Sequence, residues 1–207
     1  MSWRELFEDP PEHAHILQFY GDPSHQVEAA SLFITGGLYR NEKIVLVDSK
    51  DRIEQIKKQL EHGNRKLQSH IDSGQFLIMN VEKTLEDFLK KGEVDKNWMK
   101  NLASTAKKDI ANGKYDRVRY SLRLAPLIAE RGRPKLAAMI ETLWNNIMID
   151  HSNAMLCAYS MKTMGPSSNS IEYWRDIMRS HHFILSDVGL ILPLKPEEAG
   201  TVPPLQY

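Results

Sequence analysis

The run His15-Ile16-Leu17-Gln18-Phe19-Tyr20 passes into Gly21-Asp22-Pro23-Ser24-His25-Gln26, and a helical apolar stripe follows. In a strand–turn–helix unit, this is where a nucleotide-hydrolysing chain carries its phosphate loop, G-x-x-x-x-G-K-[ST]. There the backbone N–H groups cradle phosphates, the lysine meets the outer phosphates and the hydroxyl holds magnesium. This chain has no Gly-Lys pair at that point. Pro23 removes an N–H donor, and the carboxylate of Asp22 repels phosphate. Hydrolysis of a nucleotide by such a loop is therefore not expected, and no catalytic residue is assigned. A bare helix N-terminus still suits a small anion or polar ligand. An ordinary connection with no ligand role is the competing reading.

Other polar residues stand in apolar surroundings. Alternation along a strand sets Gln18 and Tyr20 on one face with Ile16, and His15 on the other with Leu17 and Phe19. Buried glutamine and histidine need hydrogen-bond partners. They either satisfy the interior of a sheet or recognise a polar ligand near the strand end. Arg117, Arg119 and Arg123 surround another strand-like run, Arg117–Ser121. They either bind an anion or pair with acidic residues on a flanking helix, with pairing preferred. Ser121 ends that run where a hydrolase of this architecture usually has an acidic residue. The ligand-binding candidates are thus His15, Gln18, Tyr20, Ser24, Arg119 and Ser121.

Other chemistries find less support. No H-E-x-x-H or comparable ligand spacing occurs. His13 and His15 share a strand face, and the adjacent His181 and His182 diverge. The histidines read as surface or capping residues, and no metal and no cofactor are expected. Cys157 lies within the apolar run Ala154–Tyr159 and reads as an inert core thiol. No G-x-S-x-G nucleophile elbow is present. Met161 and Met164 fall in a loop and are candidates for lining a pocket or an interface.

The elements that position these residues alternate along the chain. Residues 1–12 read as a loose arm with a short helical turn, and 13–20 as the first strand. A helix spans Pro23 to about Tyr39, with Ser24 or Asp22 as its cap. Lys43–Asp48 is a continuous Ile/Val/Leu run, typical of a strand buried on both faces. Helices follow over Lys50–His62 and 65–73, then a strand over Gln75–Asn80 and helices over 82–91 and 95–113. After Arg117–Ser121, the stretch 122–133 fits neither period. Pro134–Asp150 is helical, Ala154–Tyr159 a strand, Ser170–Ser180 a helix, and 183–194 an edge strand or hairpin. The segment from Pro196 reads as a mobile tail.

This alternation predicts an α/β fold, a three-layer sandwich whose mainly parallel central sheet is flanked by helices. Residues 13–195 form one domain, with an arm at 1–12 and a flexible tail at 196–207. Parallel sheets bind ligands at the carboxyl ends of their strands. The segments to inspect are Tyr20–His25, Asp48–Asp51, Asn80–Lys83, Ser121–Arg123 and Ser160–Thr163.

Bulk composition narrows the partners. The 207 residues include 27 basic and 27 acidic side chains, so no global field attracts nucleic acid or an anionic membrane. No apolar run approaches the roughly 20 residues that span a bilayer. A single cysteine rules out an intrachain disulfide framework and, with no signal peptide, points to a cytoplasmic protein.

The order of these motifs resembles that of the MEDS domain, the methanogen/methylotroph DcmR sensory domain. Members open with a motif like H-x-x-Q-[FL]-Y, matched by His15, Gln18, Phe19 and Tyr20. A Gly-Leu-x-x-x-Glu pattern is matched by Gly37, Leu38 and Glu42, and an SGQ segment by Ser73, Gly74 and Gln75. The likeness covers about residues 13–185. It implies a RecA/KaiC-like fold without a phosphate loop and a non-enzymatic role in signal transduction or transcriptional regulation. Relatives occur beside histidine-kinase or DNA-binding modules and have been proposed to sense small organic molecules. The chain departs from the pattern at Tyr120-Ser121-Leu122, where many relatives resemble Gly-Glu-Met. With no kinase, receiver or helix-turn-helix segment, output would pass through a separate protein, such as a histidine kinase or transcription regulator, or through a homo-oligomer. Two alternatives remain: a protein-interaction module with a vestigial nucleotide pocket, and a residual ATPase.

Overall fold

The computed structural model describes residues 1–63, 66–90, 92–148, 152–164, 171–187, 189 and 191–193. The main strands are β1 (Ala14–Tyr20), β2 (Lys43–Asp48), β3 (Phe76–Asn80), β6 (Val118–Leu122), β7 (Asn153–Ser160), β8 (Phe183–Leu185) and β9 (Ile191–Pro193). They form one sheet in the order β3-β2-β6-β7-β1-β8-β9. Neighbours are parallel except β8 and β9, which form an antiparallel hairpin. Residues β4 (Leu89–Lys90) and β5 (Glu93–Val94) make a separate small hairpin that the sequence pattern did not reveal.

Burial explains the sheet. Every residue of β1 and of β2 is buried, as expected for strands covered on both faces. Ile16, Ile44 and Leu46 face α2 (Pro23–Tyr39), α3 (Lys50–Gly63) and α4 (Leu67–Asp72). Leu17, Phe19, Val45, Val47 and Tyr159 face the other layer. That layer holds α5 (Val81–Phe88), α6 (Lys96–Ala111), α7 (Leu124–Glu130), α8 (Pro134–Met148) and α9 (Ile171–Arg179). The three-layer α/β sandwich read from the sequence is the architecture observed.

Two readings need correction. The ambiguous stretch after β6 contains a helix, α7, whose apolar residues Leu124, Ala125, Ile128 and Ala129 are buried. The arm is not loose. Helix α1 (Trp3–Glu8) is closed by a Ser2/Glu5 capping box, and Leu6 and Phe7 are fully buried. Gly36 permits this docking, because a Cβ there would stand 2.1 Å from the Glu8 carbonyl oxygen. The segments 165–170 and 196–207 lie outside the described residues.

The connectivity changes direction within the sheet. The chain leaves β2 toward β3 on one side and leaves β6 toward β7 on the other. The order therefore reverses between β2 and β6, the kind of switch point where parallel sheets bind ligands. Among the described residues, no helix is long and apolar enough to cross a membrane.

Candidate functional site at the carboxyl ends of the strands

A cleft of about 350 Å³ opens at this end of the sheet, lined by Tyr20, Gly21, Pro23, Arg52, Glu130, Ser160, Lys162 and Thr163. Its size suits a small molecule. Each lining group has a local cause. Tyr20 and Ser160 are register partners at the ends of β1 and β7. Lys162 and Thr163 follow in a single 3₁₀ turn, Met161–Thr163, which Ser160 caps through its side chain. Arg52 comes from the first turns of α3, and Glu130 ends α7.

Behind the lining lies a buried ionic group. Asp48, at the end of β2, accepts hydrogen bonds from the Ser49 N–H at 2.8 Å and from Gln26 Nε2 at 3.2 Å. Arg123, at the end of β6, stands 3.6 Å from Asp48 through Nε and donates to Glu130 at 2.7 Å. Arg52 donates to the Tyr20 hydroxyl at 2.7 Å, with its guanidinium over the Tyr20 ring. Burial pushes the Asp48 carboxyl up, against the opposing charges of Arg123 and Arg52. Burial also works against the Arg123 charge, but Asp48 and Glu130 outweigh it and lift its pKa. Among the described residues, several buried atoms here have no hydrogen-bond partner: Arg52 Nη1, Arg123 Nε and Nη1, Gln18 Oε1 and Gln26 Oε1. Such vacancies are uncommon in native interiors and call for a reason.

The turn after β1 carries its own anion. Asp187, from the loop of the β8–β9 hairpin, takes a hydrogen bond from the Gly21 N–H and pairs with His25 Nδ1 at 2.7 Å. The hydrogen bond to His25 holds the Asp187 carboxyl low, and the same bond raises the His25 pKa. Asp22 caps α2 by accepting from the Ser24 N–H at 2.8 Å. Carboxylates of the chain itself therefore occupy two amides of this turn, Gly21 and Ser24, where a phosphate loop would offer amides to phosphate.

The six sequence candidates divide. Tyr20 lines the cleft. Ser24 is exposed beside it, with its N–H committed to the cap. Gln18 is buried beneath the turn and donates to the His25 carbonyl at 3.2 Å. Ser121 is buried on the α2 face of β6 and does not line the cleft.

Arg119 is not at the site. It is fully buried nearer the amino end of β6, where its Nε meets Glu42, Nη1 donates to the Phe7 and Phe33 carbonyls at 2.9 Å, and Nη2 donates to Glu8 at 3.1 Å. Arg117 donates to the other Glu42 oxygen at 2.8 Å. The arginines do pair, but Arg117 and Arg119 share a carboxylate in the α2–β2 connection rather than on a helix. The helix α2 must leave room: a Cβ on Gly37 would sit 2.9 Å from the Arg119 side chain. Sequence reading missed Arg52, inside a helix where a charge reads as a solvated face, and Glu130, which ends α7 in the stretch that fits neither period. Asp48, Arg123, Ser160, Lys162 and Thr163 fall within the segments singled out at strand ends.

His15 is also elsewhere. The surface or capping reading of the histidines fails for His15 and His181, both of which are buried. They converge with Glu141 of α8 and Cys157 of β7, also buried, and one ligand-type atom from each lies within 4.8 Å of the others. Burial would raise the Glu141 pKa, but its contacts with His15, His181 and the Tyr159 hydroxyl outweigh this and bring it down to about 2. Burial pulls the His181 pKa down to about 3. His182 diverges from this cluster and accepts the His15 N–H at 3.0 Å.

Comparison with solved structures places the architecture among RecA/KaiC-like α/β proteins. The flagellar accessory protein FlaH from Methanocaldococcus jannaschii superposes with a TM-score of 0.53 at 13% identity, covering 88% of this chain and 75% of FlaH. The KaiC-like protein PH0186 from Pyrococcus horikoshii OT3 gives 0.52 at 14% identity, covering 85% of this chain and 71% of that one. At such identities the likeness establishes the fold alone. The chain belongs to the MEDS family, the methanogen/methylotroph DcmR sensory domain, whose model matches residues 14–182. No curated protein matches it.

Proposed function

We propose that this MEDS-family chain is a non-enzymatic sensory domain that binds a small organic molecule in the cleft and signals through a separate protein. The observation that carries the reading is the cleft itself, at the carboxyl ends of β1 and β7, backed by buried guanidinium nitrogens and glutamine oxygens that lack hydrogen-bond partners among the described residues. Arg52 and Lys162 favour a ligand with at least one oxygen acceptor, such as a hydroxyl, carbonyl or carboxylate. The capture of the Gly21 amide by Asp187 speaks against a nucleotide triphosphate.

The test is a thermal-shift panel of small alcohols, ketones and carboxylic acids beside magnesium-ATP. Ligand at 100 times its dissociation constant adds about 2.7 kcal/mol to stability. A saturable shift from a member of the organic panel is expected, with no ATP turnover. Magnesium-dependent turnover that survives purification would overturn the reading.

A docking role has one observation in its favour. Met161 and Met164, flanking the cleft residues Lys162 and Thr163, are exposed. Loss of partner capture on changing both to Ser, with ligand binding intact, would assign that surface to output.

A further inference from the structure

Away from the cleft, where α8 covers the sheet, four side chains from four separate elements or connections meet in the interior. His15 Nε2 lies 3.4 Å from Cys157 Sγ and 3.4 Å from Glu141 Oε2. Cys157 Sγ lies 3.4 Å from the same Glu141 oxygen, and His181 Nε2 lies 3.8 Å from it. From these distances and the charges involved, we infer that His15, Glu141, Cys157 and His181 form a closed, four-coordinate site for a divalent transition metal, zinc in the first place.

Spacing is the first argument. Zinc bonds of about 2.0–2.3 Å arranged tetrahedrally set ligand atoms ~3.3–3.7 Å apart. The three separations among His15, Cys157 and Glu141, each 3.4 Å, match such edges, and all four atoms lie within 4.8 Å of one another. The two nitrogen–oxygen separations, 3.4 Å from His15 and 3.8 Å from His181 to Glu141, are long for N–H···O hydrogen bonds, which cluster at about 2.7–3.2 Å.

The outer contacts give the second argument. His15 Nδ1 faces Asn145 Oδ1 at 2.7 Å, and that amide is oriented by its own Nδ2, which donates to the Ser180 carbonyl at 2.5 Å. His181 Nδ1 donates to the Ile177 carbonyl at 2.6 Å. Both outer partners are acceptors, so both Nδ1 atoms carry the proton. Both Nε2 lone pairs then point inward, toward a carboxylate. His181 Nε2, fully buried, has no hydrogen-bond partner among the described residues. Tyr159 donates to the second Glu141 oxygen at 2.5 Å. Histidines oriented from behind in this way are typical of metal ligands.

Charge is the third argument. With both imidazoles neutral, the inward lone pairs and the carboxylate repel one another, and a divalent cation among them turns that repulsion into attraction. A divalent ion with one thiolate, one carboxylate and two neutral imidazoles sums to zero, which suits full burial. On binding, the Cys157 S–H bond breaks, sulfur bonds to the metal, and the proton leaves to solvent. A thiolate with imidazoles suits zinc, and four protein ligands leave no open position. The role assigned is therefore structural: the ion ties β1, α8, β7 and the segment after α9 together.

The test uses the full chain without an affinity tag, reduced, stripped with chelator and titrated with cobalt(II) and then zinc(II). One equivalent should bind. The cobalt form should carry a sulfur-to-cobalt charge-transfer band, which zinc abolishes. Cys157→Ser should lose that band, His181→Gln should lose stoichiometric binding, and His13→Ala should keep both. Asn145→Ala should weaken binding about 10–100-fold. If the wild-type chain, folded by circular dichroism, takes up no stoichiometric metal or shows no sulfur-to-cobalt band, the assignment is wrong. Either result is read on the wild type, so a variant that fails to fold does not shelter the proposal.

Discussion

The two ends of the sheet each bury an arginine–carboxylate cluster, and they differ in how completely its groups are satisfied. At the amino end, Arg119 directs every guanidinium nitrogen at a partner: Glu42 and the carbonyls of Phe7, Glu8 and Phe33. At the carboxyl end, Arg123 and Arg52 retain buried nitrogens, and Gln18 and Gln26 buried oxygens, that have no hydrogen-bond partner among the described residues. The first cluster holds α1 against α2 and the sheet. The second stands behind a cleft. A closed network specifies architecture, whereas an incomplete one leaves binding capacity for something else.

The sharpest way to break this comparison is at Glu42. Glu42→Gln leaves Arg119 buried without its counter-charge and should cost about 3–5 kcal/mol, read from the urea unfolding midpoint. Gly36→Ala comes next. Its new methyl group collides with the Glu8 backbone, and the shift should cost about 1–3 kcal/mol. It should also expose residues 1–12 to limited proteolysis.

Arg52→Ala probes the other end. It removes one hydrogen bond to Tyr20, worth about 1 kcal/mol, yet should abolish the thermal shift given by a cleft ligand. A loss of stability as large as that of Glu42→Gln would erase the distinction between the two ends.

The smallest effect concerns pH. The His25 pKa is raised, so the stability its pairing contributes is full below the unfolded value, about 6.5, and is lost as pH rises through the folded value. The Asp187 pKa is lowered, so its contribution is present above its unfolded value and is lost as pH falls through the folded one. An NMR titration of His25 should therefore give a pKa above that of a free histidine, and Asp187→Asn should bring it back.

Much of the scaffold was legible because the chain announces it locally. Lys43–Asp48 and Ala154–Tyr159 are continuous apolar runs, and the period of 134–148 is helical. Helix α7 was not legible, since its short run carries Pro126 and lacks a side-chain cap. The site was legible only as far as strand ends can be located. Tyr20 was found because it ends a strand, whereas Arg52 and Glu130 reach the cleft from helices. Arg119 stood among the ligand candidates, although pairing was preferred, because its partner Glu42 lies on another strand's approach rather than on a helix. His15 and His181 looked unrelated because only parallel pairing, which sets β1 beside both β7 and β8, brings them together.

The Asp187 carboxylate on the Gly21 amide has a consequence for selectivity. A tethered group competes at the high effective concentration typical of short linkers, on the order of millimolar. Free phosphate or carboxylate reaching for that amide must first displace an anion the chain supplies itself, one that His25 also holds in place. The turn is thereby buffered against abundant small anions, and the neighbouring cleft is left to discriminate on other grounds.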